Sequence, residues 1–366
     1  MPSREVVAAF QEAATGLGAA FLWEFIEDEE FAALLYMLLA SVHRLPQFPV
    51  YHRFDLDDLS DMQVWYYMRF ERADLPRLQH ALRIPDEVRT SLGTVSSGLE
   101  ALCLVLMRLA YPCRWIQLVP HFGRSITHLT TLFNEMITFL DTTWRVQLLT
   151  WPQMFRTPAF LQQCAAVIAA SGAPLQNCVG FLDATIHGVA KPGVAEASVY
   201  SGYKKRHCMK YQHLVLPNGL VVHEYGPHEG RRSDSFVYGS SGLHALLHAV
   251  LVTPYAPAQR MLIYADGGYA LTTVTITPHR MPITPAQIAF NHRMSSHRMS
   301  AEWGFGGVKT NFAFIDFAKN QKVWLQPVGL YFRVATILTN CRACLYGNQG
   351  SMHFGMAPPV LEEYLA

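Results

Sequence analysis

The chain has 366 residues, 51% of them apolar and 16% charged, with a formal net charge of +1. That balance supports a packed core and excludes a disordered chain, and the length suffices for two or three domains. With net charge so near zero, any nucleic-acid contact must come from local basic clusters or from a partner that supplies charge.

No apolar core follows the opening Met-Pro-Ser-Arg-Glu, so no signal peptide is expected. The most apolar early stretch, Phe31 to Val42, is too short to span a bilayer and reads as a buried helix, so no membrane association is expected. Seven scattered cysteines, an odd number, argue for a reducing compartment and against a disulfide framework.

Residues 1–95 read as helical with loops. Apolar spacing predicts helices over Val6 to Phe21 and Phe31 to Val42. A proline-containing loop follows at Leu45-Pro46-Gln47-Phe48-Pro49, then short helices over Asp61 to Phe70 and Pro76 to Leu82. No chemistry is legible here, and a packing or interaction region is expected.

Residues 96–150 carry a more definite pattern. An apolar helix over Leu99 to Ala110 stops before Pro112, and a short helix covers Trp115 to His121. The turn Phe122-Gly-Arg-Ser125 places glycine at the bend and Ser125 where it caps a third helix, Ile126 to Trp144. This order is that of a helix-turn-helix, with Thr127, His128, Thr130 and Thr131 at positions that would face a groove. Arg124, Ser125 and His128 are the candidate DNA contacts of this segment. An ordinary helical hairpin gives the same pattern.

After Pro174 the periodicity changes. Short strands are expected over Val179 to Ile186, Arg206 to Leu216 and Leu220 to Tyr225, the last two joined by Pro217-Asn218-Gly219, a hairpin signal. A helix from about Ser233 to Val252 leads to a fourth strand, Met261 to Tyr264, and then to Ala265-Asp-Gly-Gly-Tyr269. Helices are expected over Ser296 to about Val308 and within Val323 to Cys344. This order implies an α/β layer with a mixed sheet over residues 175–345, followed by a tail, 346–366. No internal repeat is visible.

Three carboxylates stand out in this half. Asp183 lies inside an apolar strand, which is costly unless it is paired or bound to a metal. Asp266 ends a strand before two glycines, and ligand sites favour such strand ends. Glu302 follows with 35 residues between (302 − 266 − 1 = 35). Two divalent ions, Mg²⁺ or Mn²⁺, roughly 3.5–4 Å apart, would serve an in-line displacement at phosphorus and want such oxygen ligands. Asp183 is assigned the bridging position. Three acids among 28 are also easily surface or capping groups, and spacing leaves both readings open. Asp234, next to Ser233, is either a helix-capping group or a secondary metal ligand.

Basic residues cluster nearby. Lys204, Lys205, Arg206 and His207, flanked by Tyr203 and Tyr211, would contact phosphates or form a solvated loop. Arg231 and Arg232 precede Asp234, and Arg293, His297 and Arg298 precede Glu302, each placed to hold phosphate. Arg298 would alternatively pair with a carboxylate. Cys341 and Cys344 have ligand spacing without a second pair, so two buried helix residues are expected rather than zinc. Trp303 reads as core packing.

The blocks Gly180-Phe-Leu-Asp-Ala-Thr-Ile-His187, Tyr200-Ser-Gly-Tyr-Lys-Lys-Arg-His207, Gly230-Arg-Arg-Ser-Asp-Ser235, Ala265-Asp-Gly-Gly-Tyr269 and Arg298 through Gly304 occur in this order. Together they resemble the DDE transposases of the PIF/Harbinger superfamily and their domesticated relatives. The resemblance covers about residues 178–345, including Cys341-Arg-Ala-Cys344. It extends to Leu102 through Trp144, on Arg108-Leu-Ala-Tyr-Pro-Cys113 and Phe122-Gly-Arg-Ser125, and only loosely to the first 95 residues. It implies an α/β RNase H-like catalytic core with a mixed sheet and flanking helices, preceded by an all-α region containing a helix-turn-helix. It implies Asp183, Asp266 and Glu302 as catalytic metal ligands, binding and cleavage of double-stranded DNA at terminal inverted repeats, and joining of 3′-hydroxyl ends to a target. A nuclear location, a Myb/SANT-like accessory protein and a homodimer or larger assembly are likewise implied. One departure is Asp-Ala-Thr-Ile-His where Asp-Gly-Thr-His is commoner, which leaves His187 without an assigned role. The intact acids favour an active enzyme over a domesticated protein that binds DNA or a partner without cutting. They also leave an unrelated metal-dependent hydrolase as a third reading, against which the helix-turn-helix and the block order speak.

Overall fold

The computed structural model describes residues 4–22, 26–42, 51–281 and 284–366. The expected loop Leu45 to Pro49 lies outside them. The chain divides into two compact units, Met1–Tyr51 and His52–Ala366. The first holds helices α1 (Arg4–Leu22) and α2 (Asp28–Val42), with Phe21 stacked on Phe31 at 4.4 Å between ring centroids. Helix α2 begins before the apolar run because Asp28, Glu29 and Glu30 in its first turn suit the positive end of the helix dipole.

The second unit opens with α3 (Asp61–Met68), α4 (Asp74–Ala81), a ribbon of β1 (Glu87–Arg89) and β2 (Val95–Ser97), and α5 (Gly98–Ala110). Then come α6 (Trp115–Phe122), α7 (Ile126–Trp144), α8 (Val146–Leu149) and α9 (Pro158–Ala170). Ser125 caps α7 as expected, accepting from the His128 N–H at 3.2 Å. Thr157 caps α9, which has proline at its start.

Helix α5 is buried on every side from Ala101 to Ala110 and apolar there except for Arg108. Such a helix needs cover all round, and α3, α4 and α7 supply it. The core around α5 is continuous with that of the sheet, running from Val64 and Leu104 through Leu132 to Leu182 and Tyr331. Residues 96–150 thus share one compact unit, His52–Ala366, and one core cluster with the sheet.

The sheet is built from β3 (Cys178–Gly188), β4 (Tyr200–Ser201), β5 (Arg206–Val215), β6 (Val221–Glu229), β7 (Leu262–Ala265) and β8 (Thr275–Ile276). Its order is β6, β5, β3, β7, β8, with the short β4 paired to the start of β5. Strand β5 is antiparallel to β3 and β6, whereas β7 and β8 run parallel to β3. The Asn-Gly turn joins β5 to β6, with Gly219 at φ +76°, where a Cβ would collide with Asn348. A short helix α10 (Glu196–Val199) precedes β4, and α11 (Asp234–Ser240) and α12 (Leu243–Leu251) follow β6. Gly242, at φ +68°, breaks what periodicity presented as one helix.

Helix α13 (Pro285–Asn311) begins well before Ser296, because Thr284 and Gln287 form a capping box in front of it. It packs on β3 and β5, while α14 (Val328–Tyr346) packs on β6. The expected tail is part of the core: α15 (Gln349–Phe354) and α16 (Leu361–Tyr364) follow, and the buried Tyr364 hydroxyl accepts from Asn340 at 2.9 Å. Among the described residues no helix is long and apolar enough to cross a membrane.

Candidate active site

Strand β3 is buried from Cys178 to Leu182 and becomes half-buried from Asp183 to Ile186. Its parallel register with β7 pairs Leu182 with Ala265. The next residues, Asp183 and Asp266, therefore stand side by side where β7 ends. After Asp266 the chain turns through Gly267 and Gly268, with the Tyr269 N–H donating to the Asp266 carbonyl at 3.0 Å. Glu302 comes from α13, which crosses this end of the sheet.

Arg298, one turn before Glu302, joins the three acids. Its Nη1 lies 2.9 Å from Asp183 Oδ2, its Nη2 lies 2.9 Å from Glu302 Oε1, and its Nε lies 3.8 Å from Asp266 Oδ1. Three carboxylates from three elements thus surround one cation. Asp183 is the most enclosed, with 15% of its side chain exposed, and its Oδ1 accepts from the Ala184 N–H at 2.8 Å. Burial pushes its carboxyl up to about 6; Arg298 and the Ala184 N–H oppose this, and the charges of Asp266 and Glu302 add to it. Among the described residues no three His, Cys, Asp or Glu side chains are arranged as they stand to hold a metal ion. The donor set nonetheless suits Mg²⁺ or Mn²⁺: hard carboxylate oxygens gathered around a positive charge. A divalent ion would be held by Asp183, Asp266 and Glu302 once the guanidinium moves aside.

Asp234 faces the same strand end. Ser233, not Asp234, caps α11, accepting from the Phe236 N–H at 3.2 Å. Asp234 Oδ1 instead takes Lys210 Nζ at 2.7 Å, and Oδ2 abuts Gly268, where a Cβ would sit 2.7 Å away. Lys210 was not legible as a site residue, since only the β5 register brings it there. Tyr269 was missed too, although it closes the Ala265–Tyr269 block. Its hydroxyl is buried with no hydrogen-bond partner among the described residues, and burial plus the charges of Asp234, Asp183 and Asp266 push it well above the usual phenol range. Lys309 Nζ stands 3.5 Å from Thr185 Oγ1, two residues along β3 from Asp183.

The expected DNA contacts divide. Lys204, Lys205 and Arg206 are exposed at the β4–β5 hairpin, with Lys204 Nζ 4.8 Å above the Tyr203 ring. His207 in the same hairpin takes Glu196 at 2.9 Å. Arg231 and Arg232 both pair with Glu229, at 3.1 and 2.6 Å. Arg293 is exposed on α13. His297 is buried, with Nδ1 3.3 Å from Ser171 Oγ, so it packs inward rather than toward DNA.

In the helical segment, Arg124 forms two 2.8 Å bonds to buried Glu100, and buried His128 meets Ser96 at 2.9 Å. Both side chains serve the interior, and only the exposed Ser125 remains at the surface. The reason is that α7 packs against α5, so that Arg124, just before α7, reaches Glu100 of α5, and His128, in its first turn, reaches Ser96 of β2. His187 is buried against Tyr211 and Phe332, and burial holds it well below the usual histidine range, hence neutral. Cys341 is buried and Cys344 half-buried, both unpaired thiols. Trp303 is half-buried with its ring against His353.

Residues 182–340, less than half of the chain, match the model of a family described as DDE superfamily endonuclease. The matched segment contains Asp183, Asp266 and Glu302 and is similar to that nuclease class. No curated protein and no solved structure matches the chain.

Proposed function

We propose that the protein is a divalent-cation-dependent DNA endonuclease and strand transferase of the transposase kind, with Asp183, Asp266 and Glu302 as its catalytic acids. The observation that carries this reading is the convergence of these three carboxylates, from β3, the end of β7 and α13, on the single guanidinium of Arg298. The sheet order, with the middle strand of a β3–β5–β6 meander antiparallel and β7 and β8 parallel to β3, supports an RNase H-like core. The five sequence blocks favour the PIF/Harbinger branch.

Divalent ions bound at these acids would supply charge stabilisation for the attacking and leaving oxygens of an in-line displacement at phosphorus. The chain's own groups surround that point with positive charge. Lys210, beside Asp234, and Lys309, beside Thr185, flank the acids and would receive the phosphates next to the cut. Arg298, released from the acids, has a planar fork suited to a phosphate oxygen pair. Buried Tyr269 stays protonated beside the acids and would offer its free hydroxyl as a donor to a bound phosphate. No side chain serves as nucleophile: water attacks first, then a 3′-hydroxyl.

On this reading the protein works in the nucleus on double-stranded DNA, as a dimer or larger assembly that brings two ends together. A Myb/SANT-like partner would supply the charge that a net +1 chain lacks. The test is cleavage of a labelled duplex carrying the terminal repeats that flank its gene, in Mg²⁺ or Mn²⁺, by wild type and Asp266→Asn. Metal-dependent cutting lost in the variant supports the reading. DNA or partner binding without cutting under any condition would replace it with a domesticated binding protein.

A further inference from the structure

The segment from Ala318 to Val328 is held firmly at both ends. The Ala190 N–H donates to the Gln321 carbonyl at 2.9 Å, and the Gln321 amide donates to the Phe314 carbonyl at 2.7 Å. At the far end Val328 is buried with Val189 and Val199. Between these anchors the Lys322 carbonyl accepts from the N–H groups of Leu325 and Gln326 at 3.1 and 3.0 Å, closing a tight turn.

That turn pushes Trp324 and Leu325 into solvent, 68% and 79% exposed. Trp324 also has φ +72°, a backbone conformation disfavoured for a bulky L residue. An exposed aromatic–aliphatic pair and a strained backbone, fixed in a pinned turn, are not explained by core packing. Strain of this kind concentrates at ligand-contacting positions.

The surroundings indicate the ligand. Lys319 and Lys322 are exposed within the segment. The β4–β5 hairpin rests on the same apolar cluster, where Met209 and Val323 join Val189, Val199 and Val328. It presents exposed Lys204, Lys205 and Arg206, with Tyr203 88% exposed. The nearby acids are engaged, Glu196 with Lys191 and His207, and Asp316 with Lys309 at 4.0 Å. Protein-binding patches are depleted in lysine at their centres, whereas apolar wedges among basic residues suit DNA that is unstacked at a step. Gly188 to Ala190 lie five to seven residues beyond Asp183 along the chain, so Ala190, bonded to Gln321 beside the turn, stands on the order of 20 Å from the acids by strand rise.

We infer that the Trp324–Leu325 turn is an apolar wedge that enters a base step of bound duplex DNA, while Lys319, Lys322 and the Lys204–Arg206 hairpin hold the flanking phosphates. This rests on the proposed DNA-directed function and adds a contact that the acidic site does not require.

The test uses the full chain with EDTA present and a mixed-sequence duplex carrying 2-aminopurine, whose fluorescence rises on unstacking. Wild type should bind and raise that fluorescence. Trp324→Ala/Leu325→Ala should lose the rise and bind roughly ten-fold more weakly, with an unchanged thermal midpoint because the turn is exposed. Lys319→Ala/Lys322→Ala should keep the rise and flatten the salt dependence by about two in slope. Equal binding and equal unstacking by wild type and the Trp324/Leu325 variant would overturn the wedge. So would a variant that loses only capture of a protein partner. Absence of any DNA binding by wild type, with a Myb/SANT-like partner present as well as without it, would overturn the DNA-directed function together with the wedge.

Discussion

Arg298 Nη1 lies 2.9 Å from Asp183 Oδ2, an ion pair between helix α13 and the central strand that also ties in Glu302 and Asp266. The arginine keeps three mutually repelling carboxylates together. Arg298→Gln should therefore destabilise the metal-free protein by about 2 kcal/mol, the scale of losing hydrogen bonds to charged groups. Because the same side chain competes with a metal for the acids, Mn²⁺ should raise the variant's urea midpoint more than that of wild type. Urea unfolding in EDTA and in Mn²⁺ reads both effects.

Asp183 should work against the stability of the fold. Its carboxyl is pushed up to about 6 from an ordinary 3.8, so the folded state binds the proton more tightly than the unfolded chain. The cost of ionisation is absent below the unfolded value and fully present above about 6, so stability falls as pH rises through that window. Asp183→Asn should raise the unfolding free energy at neutral pH by up to about 3 kcal/mol, as two pKa units imply, while abolishing cleavage. Unfolding at pH values on either side of the window checks the sign: the variant's advantage should vanish in acid.

Ser233 and Asp234 should separate capping from site chemistry. Ser233→Ala removes the α11 cap and should cost about 1 kcal/mol with cleavage retained. Asp234→Asn leaves that cap intact but loosens Lys210 beside the acids. It should lower the cleavage rate with little change in thermal midpoint. Equal effects of the two variants on both readouts would contradict this assignment.

The helical segment and the hairpin should also behave differently. Arg124 and Glu100 are enclosed, 14% and 7% exposed, and doubly bonded. Arg124→Ala should cost about 3 kcal/mol by stranding Glu100, yet leave DNA affinity unchanged at a temperature where the variant is folded. Lys204→Ala/Lys205→Ala should leave stability unchanged and reduce the slope of log affinity against log salt by about two. Thermal melts and anisotropy titrations at several salt concentrations decide.

Much of the α/β half was legible because it is encoded locally. A short apolar run marked β3, Asn218-Gly219 between apolar runs marked the β5–β6 hairpin, and Asp266 before two glycines marked a strand end. The two-residue β8 carries too little pattern to read, and the start of α13 was hidden because its apolar periodicity is weak. The spacing that suggested a helix-turn-helix located α5, α6 and α7 closely, but it did not show that their core is continuous with that of the sheet. The nearly unbroken apolar run of α5 signals a helix covered all round, but not which elements cover it. The use of Arg124 and His128 as interior groups depends on Glu100 and Ser96, partners that spacing alone does not identify. Likewise Lys210 and Tyr269 join the acids only through strand register and the turn after β7.

The central claim is that Asp183, Asp266 and Glu302 form one divalent-cation site. Titration of Mn²⁺ into the metal-free protein, followed by calorimetry or by loss of the free-ion paramagnetic signal, tests it most directly. The account predicts saturable binding by wild type and a marked loss in each of Asp183→Asn, Asp266→Asn and Glu302→Gln. Mn²⁺ binding by wild type that persists undiminished in all three folded variants would contradict it.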